Sequence, residues 1–208
     1  MKSVFLFSAL CILSFFIGEI GKYFLNINSL IYESLSYQFA HQYVDKVFEN
    51  VRRWQLVGYL LIPLLLFIKT QAIAGVLGIG TFFFDKELSH RKLWNIALRA
   101  EFVFLIPQLL KLLWFYFYQV EYTLHDLETF YPLSLLNFFD VKELPLWYLY
   151  PLQTISFFEL LYIGFMAFLL DKTLKEKRYV GVKIAFSSYL PALLIWVASI
   201  MFLVLNQT

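Results

Sequence analysis

The sequence predicts an all-α fold: a polytopic helical membrane protein with about five transmembrane helices plus an amphipathic helix, forming one integral membrane domain over residues 1–208. Three observations predict it. Of the 208 residues, 61% are hydrophobic and only 15% charged, with a mean hydropathy of +0.68; soluble domains are about half apolar and about a quarter charged, so here the bilayer is the expected solvent. Apolar stretches long enough to cross about 30 Å of hydrocarbon recur along the chain. The charges collect in short connections between them, and Trp and Tyr mark several of their ends.

The longest apolar stretch, Trp54 to Phe84, carries a single full charge, Lys69, near its middle. At about 1.5 Å of rise per residue, its length reaches about 46 Å, more than one straight crossing needs. Tilt, a break near Lys69-Thr70-Gln71, or ends standing in the interfaces would accommodate the excess.

Taken in order, span one covers about 3–25. It begins with Lys2 and an apolar run, but the small-residue cleavage pattern of a signal peptide does not follow, so an uncleaved helix is expected. Glu19 and Lys22 fall i to i+3 on one face and are expected to pair. The single cysteine, Cys11, excludes an internal disulfide and reads as a buried, inert thiol. Residues 29–53 read as an amphipathic helix with an apolar stripe from Leu30 to Val51, lying on the membrane or against the bundle. His41 and Asp45 are expected there as a surface pair.

Span two covers about 54–84. Pro63 predicts a bend, and Gly75 and Gly78, with Ala74 four residues before Gly78, predict close helix packing. Span three covers about 93–118, with Pro107 inside it. The connection 119–145 is acidic, and Leu133 to Phe139 within it suggest a short interfacial helix. His125, Asp126 and Glu128 form a solvated acidic cluster. Span four covers about 146–170 and opens on aromatic residues. A basic turn follows, and span five covers about 180–205 with Pro191 inside it. The short basic segments at Lys2, 85–92 and 171–179 lie on one side of a five-span arrangement. They predict a cytoplasmic N-terminus, an outer 119–145 loop and an outer C-terminus.

Ionisable groups inside spans are costly and are the candidates for function. Lys69 and Glu159 sit near the centres of spans two and four and are expected to pair between helices. Glu101, Gln108 and Lys111 in span three and Gln153 in span four are candidates to line a polar cavity with them. No Gly-x-Ser-x-Gly turn, no His-Glu-x-x-His helix and no dense aspartate motif occurs. No catalytic, cofactor or metal-ligating residue is expected, and the net charge of +2 does not suggest nucleic acid.

From about residue 75 to 205 the order of features resembles the Yip1-like family of multi-pass membrane proteins. The glycine-containing end AGVLGIGTFFF leads through a charged turn to HRKLWNIALRAEFVFLIPQLL, a span with a central proline. Leu135, Leu136, Asn137 and Phe138, with Leu146 and Trp147, then resemble the family's interfacial segment and tryptophan-led span. A first span and an amphipathic helix precede the similar part, in place of a long soluble head. The resemblance implies about five spans, a cytoplasmic N-terminus and action through protein partners, and it supplies no catalytic residue.

The expected function is an integral membrane scaffold or accessory subunit, with the bilayer and other membrane subunits as partners. A small transporter or channel subunit with a polar midplane site is the alternative, and a lipid-modifying membrane enzyme the third.

Overall fold

A computed structural model of the chain describes residues 2–38, 41–175 and 179–207. The described residues are almost entirely helical, with a single isolated antiparallel bridge, Ser134 to Ser156. Three helices are long and apolar enough to cross a membrane: Ser3–Phe24, Val57–Phe83 and Val180–Leu205. They correspond to expected spans one, two and five. The other two expected spans are interrupted helices, which corrects the sequence reading.

Helix α1 (Lys2–Phe24) is followed by α2 (Ile27–Gln38) and α3 (His41–Phe83). The structure does not form a separate amphipathic helix over 29–53. Its first part is α2 and its second is the start of α3, which runs without interruption through Pro63 and Lys69 into the membrane span. At about 1.5 Å per residue, the 43 residues of α3 extend about 64 Å, so its first turns stand beyond the hydrocarbon. There α2 folds back on it: Tyr32 meets Phe48 edge-on at 5.7 Å between ring centroids, and Gln55 donates to Asn28 at 3.3 Å. The expected His41–Asp45 pair lies outside the described side chains.

Expected span three divides into α4 (His90–Glu101) and α5 (Leu105–Phe117), joined by a tighter 3-10 turn at Phe102–Phe104. The cause is local. Pro107 has no N–H to offer the carbonyl of Val103, four residues earlier, and its ring crowds that carbonyl. The 119–145 connection holds α6 (Leu124–Thr129) and two 3-10 turns, Leu135–Phe138 and Val141–Glu143.

Expected span four divides into α7 (Leu146–Thr154) and α8 (Phe157–Leu174), with Ile155 and Ser156 extended between them. Broken helices leave backbone groups that hydrocarbon cannot satisfy. Here the 133–135 segment satisfies them: Leu135 N–H donates to the Ile155 carbonyl at 2.9 Å, and Phe157 N–H donates to the Leu133 carbonyl at 3.0 Å. Helix α9 (Val180–Leu205) completes the chain and continues through Pro191.

The core lies where α3, α4, α8 and α9 meet. Ala74, Leu77, Ala97, Ala100, Met166 and Ala185 are sealed within it. The alanines matter because helices associate in membranes by close backbone packing rather than by a hydrophobic gain over lipid. The tightest approaches occur at other small residues. A Cβ on Gly181 would stand 2.2 Å from the Ala167 carbonyl oxygen, and one on Gly80 would stand 2.6 Å from the Ser188 hydroxyl. Gly78 faces only the end of Leu93 at 3.5 Å, and Gly75 faces open space. The close contact expected at Gly75 and Gly78 is therefore found at Gly80 and Gly181. Helix α1 packs on α4 and α5 through Leu10, and Cys11 is half-buried rather than sealed.

Candidate functional site

The site is a polar seam built by the four core helices. Helix α3 brings Lys69, which sits midway along its span. Helix α4 brings Glu101 at its last residue, just before the 3-10 turn that Pro107 imposes. Helix α8 brings Glu159 in its first turn and Tyr162 one turn later. Helix α9 brings Tyr189.

The pairing inside the seam differs from the expected one. Lys69 Nζ stands 2.9 Å from Glu101 Oε1 and donates to Oε2 at 3.0 Å. Glu101 is 3% exposed, while the Lys69 side chain is 46% exposed, so the lysine reaches inward from the bundle surface. Its ammonium also sits 4.3 Å from the centroid of the Phe104 ring, a favourable cation–π position. The expected Lys69–Glu159 ion pair is thus replaced by Lys69–Glu101. Lys69 and Glu101 are brought onto adjoining helices by the turn between α3 and α4, and only tertiary packing selects that partner over Glu159.

Glu159 accepts a hydrogen bond from the Tyr189 hydroxyl at 2.7 Å, which ties α8 to α9. Its backbone N–H is taken by the Ser156 hydroxyl, the N-cap of α8. Lys69 and Glu101 both lie within electrostatic reach of it. The Tyr162 ring packs 4.8 Å from Phe104 and 5.4 Å from Tyr189 between centroids. Its hydroxyl is buried beside Glu101. Tyr162 and Tyr189 were not singled out from the sequence. The available signal was spacing: Tyr162 follows Glu159 by three residues and shares its face.

The remaining candidates lie apart from the seam. Lys111 donates to the Leu127 carbonyl within α6 and stands over the Tyr131 ring, so it fastens the 119–145 connection to α5. Gln108 is exposed and Gln153 half-buried; neither side chain forms a hydrogen bond among the described residues. Two open grooves, of about 380 and 720 Å³, flank this end of the bundle. The first runs along Leu25, Lys111 and Tyr131, the second along Leu30, Glu33 and Asp126, and neither reaches Lys69, Glu101 or Glu159.

Three further polar contacts are structural. The expected Glu19–Lys22 pair forms at 3.0 Å and recruits Tyr59 of α3, whose hydroxyl donates to Glu19 at 2.5 Å. Trp94 donates to the buried Thr70 at 3.1 Å. In the 119–145 connection Asp126 forms a capping box with Thr123, whose backbone N–H and hydroxyl hold the Asp126 carboxyl below the ordinary aspartate range. Burial pushes the neighbouring Tyr131 phenol up. Among the described residues no group of three or more His, Cys, Asp or Glu side chains is arranged to hold a metal ion.

Chemically, the seam offers two carboxylates, one ammonium and two phenols, a set of proton donors and acceptors. No family model, curated protein or solved structure matches the chain.

Proposed function

We propose that this protein is an integral membrane scaffold or accessory subunit of a membrane protein complex. The observation that carries the reading is that the one ammonium of the seam is taken up within the bundle. Lys69 is matched to Glu101 at 2.9 Å across α3 and α4, a helix-to-helix tie rather than the lining of a conduit. The Tyr189–Glu159 bond ties α8 to α9 in the same way.

Apolar surface supports it further. Few residues of α1 and α9 are covered by the rest of the chain, and Phe5, Phe16, Ile195 and Phe202 stand outward. In a bilayer such faces meet lipid or the helices of other subunits. In this reading the chain crosses the membrane five times. The two interrupted helix pairs serve as the third and fourth crossings, with the basic turns cytoplasmic and the C-terminus outside. The Yip1-like order of features after residue 75 agrees with a protein that acts through partners and not through catalysis.

A second reading is a small transporter or channel subunit. It is favoured by one observation: Glu159 sits at a break in a span, where transporters of several folds place their binding groups.

The experiment is isolation of the tagged full-length chain from its native membranes in mild detergent, with the mass of the resulting particle measured. A particle of fixed composition larger than one chain is expected. A solitary monomer, folded by circular dichroism, overturns the scaffold reading.

A further inference from the structure

The charges in the seam do not balance. Lys69 is matched to Glu101 at 2.9 Å, which leaves Glu159 with no cation of its own among the described residues. The groups acting on it from the surrounding helices are Lys69 of α3, Glu101 of α4 and the Tyr189 phenol of α9. Tyr150 of α7 lies within reach of Tyr189, and Tyr162 of α8 within reach of Glu159. Of these only Lys69 is a cation. One ammonium against two ionised carboxylates leaves a net charge of −1 within the bundle. Tyr189 lies about 14 Å along α9 from its first residue, near the middle of a bilayer about 30 Å thick. An uncompensated charge at that depth is costly.

Tyr162, one helical turn from Glu159, buries its hydroxyl beside Glu101. A phenol there adds no positive charge, so it does not offset the second carboxylate.

We propose that Glu159 is an intramembrane proton-binding site. Its carboxylate takes one proton from water to become the neutral acid, and returns it to water; no other bond forms or breaks. Lys69 and Glu101 stay paired through the cycle. Tyr189 stabilises the ionised form by donating to it. A metal cation fits less well. Hard cations such as calcium take about six to eight oxygen ligands, whereas the Lys69 ammonium already occupies the Glu101 side of the seam. This inference goes beyond the scaffold reading and does not depend on it.

The test is infrared difference spectroscopy of the full-length chain in lipid nanodiscs, in potassium buffer, reading the carbonyl stretch of protonated carboxyl groups. One such band is expected at neutral pH, shifting on exchange into deuterium oxide. Glu159→Gln removes it. Glu101→Gln also removes it, because Lys69 then neutralises the remaining carboxylate. Lys69→Met doubles it, because two carboxylates then need two protons. Tyr189→Phe keeps the packing but deletes the donor to the ionised form, so the band persists to a pH about one unit higher. A folded wild-type protein with no protonated carboxyl at neutral pH overturns the proposal, whatever the variants do. So does a band that disappears when sodium replaces potassium, which would assign the site to a metal cation.

Discussion

Lys69 Nζ and Glu101 Oε1 stand 2.9 Å apart across α3 and α4, one partner half exposed at the bundle surface and the other almost completely buried. The asymmetry decides what each substitution does. Lys69→Met leaves a buried carboxylate without its cation, a loss we expect near the lower end of the about 3–5 kcal/mol seen for broken buried pairs, since Lys69 itself is partly exposed. Lys69→Met combined with Glu101→Gln leaves no unpaired charge and should be milder than Lys69→Met alone. Thermal unfolding in detergent, run as a double-mutant cycle, checks this. A double variant as unstable as the worse single would show that the pair is not what holds these helices.

Gly181 and Gly75 should respond oppositely to alanine. At Gly181 the added methyl meets the Ala167 carbonyl at 2.2 Å, and backbone cannot swing away as a side chain can. We expect a destabilisation of about 1–3 kcal/mol or more from overpacking. At Gly75 nothing lies within 4 Å, so the better helix propensity of alanine should leave stability unchanged or raised by up to about 1 kcal/mol. Melting midpoints of the two variants separate the cases; equal losses would mean that α8 and α9 are not packed this closely.

Ser156 caps α8 by accepting from the Glu159 N–H, so Ser156→Ala should cost about 1 kcal/mol. The loss should localise. Hydrogen exchange ought to quicken at the amides of Phe157 to Glu159 and leave α9 unchanged. Uniform quickening across both helices would instead mean that the break and the core unfold as one unit.

Acid should loosen the 119–145 connection through Asp126. Its folded pKa lies below its unfolded value, because the ionised carboxyl accepts from the Thr123 backbone N–H and hydroxyl. The stabilisation is therefore fully present above the unfolded value, about 3.9, and is lost as pH falls through the lower folded value. Exchange protection of α6, corrected for intrinsic rates, should hold at mildly acidic pH and fall only below about pH 4. Asp126→Asn should lower the protection at neutral pH and abolish that dependence.

Much of this protein was legible from its sequence because hydrocarbon imposes a one-dimensional rule. A helix in lipid must be long and apolar, and three such helices appear where 3–25, 54–84 and 180–205 led one to expect them. Local chemistry was legible too. Pro107 removes the hydrogen bond to the Val103 carbonyl where the helix tightens into a 3-10 turn, and Glu19 and Lys22 pair at the spacing that predicts it. The break at Ile155–Ser156 was not legible. It depends on Leu133 and Leu135 arriving from a distant segment to satisfy the freed backbone groups, and no window of sequence around residue 155 contains them.

The candidate site divides in the same way. Composition and position marked Lys69, Glu101 and Glu159 as intramembrane charges, because ionisable residues stand out in an apolar run. Which of them meet was decided by tertiary structure alone. Lys69 takes Glu101, Glu159 takes Tyr189, and Lys111 turns away to hold α6. Hydropathy depends on what each residue is and sums along the chain. An ion pair depends on two side chains converging within about 4 Å, and that is set by how four helices pack in space.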